Sequence, residues 1–244
     1  MENVKVVMIT GASKGLGKQL ALRFAKEGAK LAICARNGTP LKQVEEELRD
    51  LGAEVVAVTA DVSVPGDVDR FVSIAEENYG KIDVLINNAS IFGPGPRLLA
   101  DYPEEDFMDV LKVNAFNPFI VTKRVLRGML MRKEGSIINL TSEAGKTGFA
   151  EWGAYGISKF AVEGLTQTWA DELQETGVRV NMVDPGEMDT SMHDRAVPDC
   201  DYPLADPGDH LDIFLYLASD ASSDVSGRRF EAQAFQWSRG EDHE

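Results

Sequence analysis

The sequence is poor in the residues that build metal centres and disulfide frameworks. It contains two cysteines, Cys34 in an apolar run and Cys200 in a polar stretch, and three histidines that are scattered without the spacing of metal ligands. Two cysteines make no disulfide framework, and their scarcity fits a reducing compartment. We therefore predict a cytoplasmic protein without a metal site.

Basic side chains and long apolar runs are scarce as well. The 244 residues include 25 lysines and arginines against 40 acidic residues, which gives a formal net charge of −15. An acidic surface repels phosphate backbones and anionic lipid headgroups, so we expect neither nucleic acid nor a membrane as a partner. The apolar runs are shorter than the roughly 20 residues that span a bilayer, and the N terminus shows a strand pattern instead of a signal peptide.

What the sequence contains is a regular alternation of strand and helix patterns. Residues 4–9 form a short β-branched apolar run, typical of a strand buried on both faces, and a helix pattern then leads to a second such run at 31–34. Further strands are predicted at 55–58, 84–86, 137–140, 178–183 and 229–232, and the helices between them at 41–51, 65–79, 103–132, 150–175 and 210–218. This alternation predicts an α/β fold, a single doubly wound Rossmann-type domain with six or seven parallel strands flanked by helices.

Two helix starts are predicted from local signals. Ser63 is placed to cap the helix at 65–79. Asp206 followed by Pro207 fits a cap and a first-turn proline, and this pair is expected to open the helix that continues through 210–218.

The domain is expected to span residues 1–244 without a linker or a repeat. Its long helix is expected to be disturbed around 114–118. Residues 188–206 lack a periodic pattern and contain prolines, so we predict an irregular substrate loop there. Residues 239–244 are predicted to form a loose tail.

A glycine-rich turn follows the first strand. Gly11, Gly15 and Gly17 come directly after Thr10 and open the first predicted helix. Residues without a Cβ allow backbone N–H groups to approach a pyrophosphate at the positive end of a helix. Within a strand–turn–helix–strand unit, this arrangement predicts a dinucleotide site.

A serine, a tyrosine and a lysine suggest acid–base chemistry. Tyr155 and Lys159 are four residues apart, which places them on one face of a helix with adjacent side chains. An ammonium beside a phenol is expected to lower the phenol's pKa from about 10 and so to bring it within reach of general acid–base catalysis. Ser142, which follows the strand at 137–140, could hold a substrate oxygen beside the phenol.

The residues after the second strand predict the choice of cofactor. Proteins that select NAD usually carry an acidic residue about 20 positions past the glycine turn, where it bonds the ribose 2′-hydroxyl. Here that position holds Arg36, followed by Asn37, and Lys14 in the glycine turn is expected to face the same corner. Two cations suit a 2′-phosphate, so we predict a preference for NADP(H).

The order and spacing of these motifs resemble the short-chain dehydrogenase/reductase family over nearly the whole chain. In that family the asparagine that matches Asn114 completes a proton relay, and the residues that match Ser142, Tyr155 and Lys159 form the catalytic core. The resemblance, together with the reasoning above, predicts the following cofactor contacts: Gly11, Ser13, Lys14, Gly15, Leu16, Gly17, Arg36, Asp61, Val62, Asn88, Ala89, Tyr155, Lys159, Pro185, Gly186, Met188 and Thr190.

Two departures from the family pattern stand out. Ser90 occupies the position after Ala89 where the family usually has glycine, close to where the cofactor ribose is expected. The last strand runs into residues 232–235, Ala-Gln-Ala-Phe, where the family often has Asp-Gly-Gly. The second departure leaves the role of the C-terminal segment open.

The predicted function is an NADPH-dependent oxidoreductase that interconverts a ketone or aldehyde and an alcohol, with Tyr155 as the general acid or base. Apolar side chains predict a hydrophobic substrate pocket, and they are Phe92, Phe149, Trp152, Met188 and Met192. Two alternatives remain: a 3-oxoacyl-carrier-protein reductase, and a protein that senses the nucleotide without turnover. The acidic charge disfavours a carrier protein unless Lys123, Arg124, Arg127, Arg132 and Lys133 form a basic patch.

An oligomer is also expected. In the family, the helix that matches 150–175 and the helix before it pack against other subunits. Here the helix carries apolar bulk outside its catalytic pair, namely Phe160, Ala161, Leu165, Trp169 and Leu173. We predict a homotetramer, with a homodimer as the second choice.

Overall fold

The computed structural model describes residues 4–237 and contains one parallel sheet of seven strands in the order β3-β2-β1-β4-β5-β6-β7. The predicted tail at 239–244 lies outside the described residues. The strands are β1 Val6–Thr10, β2 Lys30–Ala35, β3 Val55–Thr59, β4 Val84–Asn87, β5 Gly135–Leu140, β6 Val178–Asp184 and β7 Arg229–Glu231. The predicted α/β fold with a doubly wound parallel sheet is confirmed.

The helices lie in two layers, one on each face of the sheet. Their bounds are α1 Gly15–Lys26, α2 Gly38–Asp50, α3 Pro65–Tyr79, α4 Glu104–Leu111, α5 Asn117–Arg132, α6 Gly153–Glu172, α7 His193–Ala196 and α8 Asp212–Ala218. Alternate residues of β1 face opposite layers: Val7 and Ile9 pack with α1, α2 and α8, whereas Met8 packs with α3 and α5. All five residues of β1 are buried, as expected for a central parallel strand.

The expected disturbance of the long helix is confirmed and has a local cause. A π-helical segment, Lys112–Phe116, separates α4 from α5, and the Asn117 N–H bonds the Lys112 carbonyl five residues back. Pro118 follows and has no N–H, so it cannot donate to the Asn114 carbonyl as an ordinary helical residue would. The wider turn therefore occurs where the α-helical bonding must fail.

The helix predicted at 65–79 is confirmed, but its predicted cap at Ser63 is wrong, and so is the helix start predicted at Asp206, because both polar side chains close turns instead of capping helices. The residue before α3 is Val64, and Ser63 bonds Asp61 through both its backbone N–H and its hydroxyl, at 2.9 and 2.7 Å. The Asp206 carboxylate accepts from the Gly208 N–H at 2.7 Å, and α8 begins only at Asp212. Asx turns of this kind compete with helix initiation.

The sheet topology determines where a ligand can bind. β1 pairs with β2 on one side and with β4 on the other, so the connections after β1 and β4 leave in opposite directions. Such a switch point opens a crevice at the carboxyl ends of the strands. In residues 4–237, no helix has both the length and the apolar composition needed to cross a membrane.

Candidate active site

A cavity of about 1040 Å³ lies at the carboxyl ends of the strands. Its lining comes from the glycine turn, from helix α6 and from the loops that follow β2, β3, β4, β5 and β6. These elements carry the predicted cofactor and substrate residues. Among the predicted site residues, only Asn114 does not line it. The fold therefore brings into one cavity residues that are spread over most of the chain.

The glycine turn is shaped by close approaches that exclude side chains. Gly11 has a positive φ of 70°, and a Cβ added there would come within 2.8 Å of the Ala89 Cα. A Cβ on Gly17 would collide with the Asn88 amide and with the Gly11 carbonyl oxygen. Helix α1 begins at Gly15, and Lys14 before it makes no side-chain cap within the described structure. The first-turn N–H groups can therefore face an anionic ligand, which fits a pyrophosphate.

Asn88 fixes the glycine turn to the end of β4. Its side-chain amide donates to the Thr10 and Gly11 carbonyl oxygens at 2.9 and 3.0 Å. The Thr10 hydroxyl in turn accepts from the backbone N–H groups of Asn88 and Ala89, at 3.1 and 3.0 Å. Ser90 follows at the cavity wall, and its hydroxyl is buried without a hydrogen-bond partner in the described structure.

The two cations predicted for a 2′-phosphate occupy different positions. Arg36 is exposed at the cavity rim and forms no ion pair among residues 4–237. The Lys14 ammonium instead donates to the Ser191 hydroxyl at 2.9 Å, across the glycine turn. Asp61 also lines the cavity, but its carboxylate accepts two bonds from Ser63. In this conformation Arg36 is the cation left available at that corner.

The predicted catalytic side chains lie together at the inner end of the cavity. Tyr155 and Lys159 are buried on α6, with 9 and 3% of their surfaces exposed. The Lys159 Nζ lies 5.4 Å from the centre of the Tyr155 ring and donates to the Leu140 carbonyl oxygen at 2.9 Å. Ser142 hydrogen-bonds the phenol, and its Oγ also accepts from the Ala144 N–H at 3.2 Å.

Burial dominates the protonation of this pair. Burial raises the pKa of Tyr155 to about 12; the Ser142 hydrogen bond opposes this shift and the Asp184 charge adds to it. Burial lowers the pKa of Lys159 to about 8, against the attraction of Asp184. The predicted lowering of the phenol's pKa is therefore wrong: burial raises this pKa, and the charge that acts on it is that of Asp184, not that of Lys159.

Asn114 is buried behind the cavity wall. Its amide accepts from the Ile91 N–H at 2.8 Å, donates to the Ile91 carbonyl oxygen at 2.8 Å, and donates to the Ser158 hydroxyl at 3.0 Å. The side chain is thus occupied in joining the π segment to the loop after β4 and to α6. The proton-relay role of Asn114 stays a prediction.

Aromatic rings surround the phenol. The Phe92 and Trp152 ring centres lie 5.3 and 5.8 Å from that of Tyr155, and 5.4 Å from each other. Phe149 lies 5.6 Å from Trp152 and is 44% exposed at the mouth. Met188 and Met192 also line the cavity. The predicted apolar wall is thus assembled beside the proposed acid.

Sequence reasoning missed a polar cluster in the substrate loop. The Tyr202 hydroxyl donates to Glu187 Oε1 at 2.8 Å, and His193 Nε2 lies 3.3 Å from the same oxygen. Residues 188–206 are irregular as predicted, except for the short helix α7 and a single bridge from Met188 to Ala205. No local pattern indicates this cluster, because Glu187 and Tyr202 are 15 positions apart.

The unusual C-terminal segment supports the turn after β6. The Gln233 amide donates to the Pro185 and Glu187 carbonyl oxygens at 3.2 and 2.9 Å. It packs so closely that a Cβ on Gly186 would meet the Gln233 Nε2 at 2.5 Å. The segment that departs from Asp-Gly-Gly therefore holds the Pro185–Gly186 turn from outside the cavity.

The fold and this cavity define the class of protein, a Rossmann-type α/β protein with its ligand crevice at the switch point of the sheet. The family model described as short chain dehydrogenase matches residues 5–201. The chain belongs to the short-chain dehydrogenase family and is an oxidoreductase of that family. Residues 4–237 contain no group of three or more histidine, cysteine or acidic side chains arranged to hold a metal ion.

Individual relatives differ in cofactor and substrate. A 3-oxoacyl-[acyl-carrier-protein] reductase from Synechocystis is 36% identical over 234 residues, which covers 93% of this chain and 94% of the relative. A variant of actinorhodin polyketide ketoreductase, solved with NADPH, superposes with a TM-score of 0.88 at 31% identity, covering 95% of this chain and 96% of that one. NAD⁺-bound xylitol dehydrogenase superposes with a TM-score of 0.87 at 32% identity, covering 93 and 96%.

Proposed function

We propose that this chain is an NADP(H)-dependent oxidoreductase that interconverts a ketone or aldehyde and an alcohol. The observation that carries the proposal is the shared cavity. Ser142, Tyr155 and Lys159 line the same cavity as the glycine turn and Arg36. The residues fit a dinucleotide, because α1 starts at the cavity without a side-chain cap and the turn before it packs too closely against Asn88 and Ala89 to hold side chains at Gly11 and Gly17. When bound, the cofactor supplies the hydride chemistry.

In the reducing direction, the phenol of Tyr155 gives its proton to the oxygen of the substrate carbonyl. Its pKa of about 12 keeps the phenol protonated at neutral pH, as a proton donor requires. Ser142 donates a hydrogen bond to the same oxygen. Lys159 provides a buried positive charge, and by analogy with the family it holds the ribose hydroxyls. By analogy with the family, Asn114 anchors the path by which the proton returns.

The proposed cofactor is NADP(H) because Arg36 stands where an acidic residue would select NAD. The ketoreductase solved with NADPH supports this choice, whereas the xylitol dehydrogenase shows that related chains also bind NAD⁺. The proposed cofactor site consists of the residues predicted from the sequence. For Lys14 to bind the 2′-phosphate, its ammonium would have to give up its hydrogen bond to the Ser191 hydroxyl. The protein is proposed to act in the cytoplasm.

The proposed substrates are hydrophobic or aromatic ketones. Phe92, Phe149 and Trp152 form an apolar wall beside Tyr155, and neutral rings offer no anchor for a phosphate. The test is NADPH consumption measured by absorbance against a panel of aromatic ketones, aliphatic ketones, ketosugars and phosphorylated ketones. A higher kcat/KM for sugars or phosphorylated ketones would contradict the proposed substrate class, and no turnover of any carbonyl would favour a nucleotide sensor.

A carrier-bound 3-oxoacyl substrate is the second candidate, favoured by the Synechocystis relative. Of the five cations predicted to form a basic patch, Arg124 is paired with Glu76 at 3.0 Å and with Asp69 at 3.5 Å. The other four are exposed, namely Lys123, Arg127, Arg132 and Lys133. Comparing a 3-oxoacyl chain on its carrier protein with the same chain as a free thioester separates the candidates. A preference for the carrier-bound form that is lost in Arg127→Glu would support the second.

We also propose that the protein is a homotetramer or a homodimer. Met108, Phe116, Ile157 and Phe160 are apolar side chains of α4, the π segment and α6, and each is more than 40% exposed. Leu173, which was predicted to add to this face, is instead buried in the chain's own core. The remaining side chains form a face that a second subunit could cover.

A further inference from the structure

Arg229 is the first residue of β7, and its guanidinium lies behind the proposed catalytic serine with 16% of the side chain exposed. Its Nη2 donates to the Ser142 carbonyl oxygen at 3.2 Å and to Asp184 Oδ2 at 2.7 Å. Its Nε donates to Glu163 Oε1 at 3.0 Å. One planar side chain therefore contacts three different elements of the site.

Each of these partners holds a further part of the site. Glu163, one turn beyond Lys159 on α6, also accepts from the Thr141 hydroxyl at 2.8 Å. Asp184, at the end of β6, accepts from the Gly186 N–H at 2.9 Å through its second oxygen. Arg229 is thus the common partner of the serine loop, the lysine helix and the turn that carries Pro185 and Gly186.

Four carboxylates surround the Arg229 guanidinium, two of them buried and two exposed. Asp184 on β6 and Glu163 on α6 are 6 and 9% exposed, so each would be a buried unpaired carboxylate without the arginine. Glu231 accepts from Arg229 Nη1 at 3.0 Å, and Glu143 lies 3.7 Å from Nη2. Lys146 pairs with both of these outer carboxylates, at 3.2 and 2.9 Å.

We propose that Arg229 is a positioning residue for the reaction assigned above: it fixes the backbone of Ser142, the Pro185–Gly186 turn and α6 relative to one another, and it screens the Asp184 carboxylate from Tyr155 and Lys159. The geometric half of this role rests on the proposed function. The electrostatic half does not, because it concerns charges that are present in the protein alone. The Asp184 charge raises the pKa of both Tyr155 and Lys159, so screening it has a measurable consequence.

The electrostatic half is tested by titrating Lys159. The lysine ammonium resonances are followed by NMR in protein labelled with ¹³C at lysine Cε, and Lys159 is assigned by the signal that Lys159→Met removes. Its pKa of about 8 separates it from exposed lysines. Arg229→Met is expected to raise the Lys159 pKa by unscreening Asp184, and Asp184→Asn is expected to lower it. Arg228→Met is the matched control, because this neighbouring side chain is exposed and forms no ion pair among residues 4–237.

The geometric half is tested with Arg229→Lys, which keeps a charge beside Asp184 but loses the fork that reaches Glu163 and the Ser142 carbonyl. We expect its Lys159 pKa to stay near the wild-type value while kcat for a carbonyl substrate falls by about 10- to 100-fold, the scale of a small misplacement of reacting groups. The Kd for NADPH, measured by fluorescence, is expected to change less than kcat, because Arg229 holds the Pro185–Gly186 turn but does not contact the glycine turn or Arg36.

The outcomes are separable. If Arg229→Met does not fold, Asp184→Asn and Arg229→Lys still test both halves. An unchanged Lys159 pKa in Asp184→Asn, or a kcat of Arg229→Lys equal to that of Arg228→Met, would overturn the proposal. If the wild-type protein reduces no carbonyl, the proposed function fails, while the Lys159 titration still decides whether Arg229 screens Asp184.

Discussion

Replacing Tyr155 by phenylalanine removes one hydroxyl and tests the proposed proton donor directly. The ring keeps its neighbours, because Phe92 and Trp152 lie 5.3 and 5.8 Å from its centre and contact it as an apolar surface. The lost hydrogen bond to Ser142 is between neutral groups and is worth about 1 kcal/mol, which is offset by burying one polar group fewer. We therefore expect the unfolding midpoint in urea to change little.

The chemical step is expected to suffer far more than the fold. General acid–base catalysis contributes about 10²–10⁴-fold, or roughly 3–5 kcal/mol of the barrier. We expect kcat of Tyr155→Phe to fall within that range. The Kd for NADPH is expected to stay within about threefold, because the glycine turn and Arg36 are unchanged.

The assay compares single-turnover NADPH oxidation in Tyr155→Phe with that in Tyr79→Phe. Tyr79 is a matched control: its half-buried phenol donates to the Leu31 carbonyl oxygen at 3.2 Å, and burial likewise raises its pKa to about 12, but it lies outside the cavity. Retention of more than about a tenth of the wild-type single-turnover rate in Tyr155→Phe would refute the assignment. The Ser142 hydroxyl or a water molecule would then be the proton donor.

Three further predictions concern the cofactor, stability and assembly. Arg36→Asp is expected to shift the ratio of kcat/KM for NADPH over NADH by about 10- to 100-fold toward NADH, as for the loss of a charged hydrogen bond, and equal values in the wild type would contradict the choice of cofactor. Lys159→Met is expected to stabilise the fold by up to about 3 kcal/mol at pH 7, because the folded pKa of about 8 lies below the usual 10.5. The unfolded state then binds more protons between these values, so the gain should vanish as pH rises from about 8 to 10.5 in urea unfolding, and a gain independent of pH would exclude this cause. Phe160→Glu is expected to dissociate the oligomer in light scattering, and a wild-type particle of 26.7 kDa would rule out both the dimer and the tetramer.

Local sequence patterns were sufficient for the sheet and for most of the site. The β-branched runs, the glycine turn and the four-residue spacing of Tyr155 and Lys159 are short-range features, and the structure places them as strands, a tight turn and one helix face. The wrong cap at Ser63 and the wrong helix start at Asp206 have the same local origin. Ser63 bonds the nearby Asp61 carboxylate and Asp206 accepts from the nearby Gly208 N–H, and a single sequence does not show that these bonds win over helix capping.

The protonation of the site could not be predicted from spacing. The four-residue interval brings Lys159 next to Tyr155. The pKa of the phenol rises because this part of α6 is buried, and the spacing does not show burial. The side-chain partners of Asn114 could not be predicted either. Its amide bonds Ile91 and Ser158, which are 23 and 44 positions away in the chain.

The sequence by itself determined where strands and helices alternate along the chain. It also determined the glycine turn, the serine, tyrosine and lysine, and the cation at Arg36, because each of these depends on residues near one another in the chain. Only the tertiary structure decided which distant side chains support them. Ser142 and Arg229 are 87 positions apart, and they meet because β7 joins the sheet beside β6, whose other neighbour β5 ends two residues before the serine. The order of strands within the sheet is a property of the whole fold, so a contact that depends on this order leaves no pattern in any local segment.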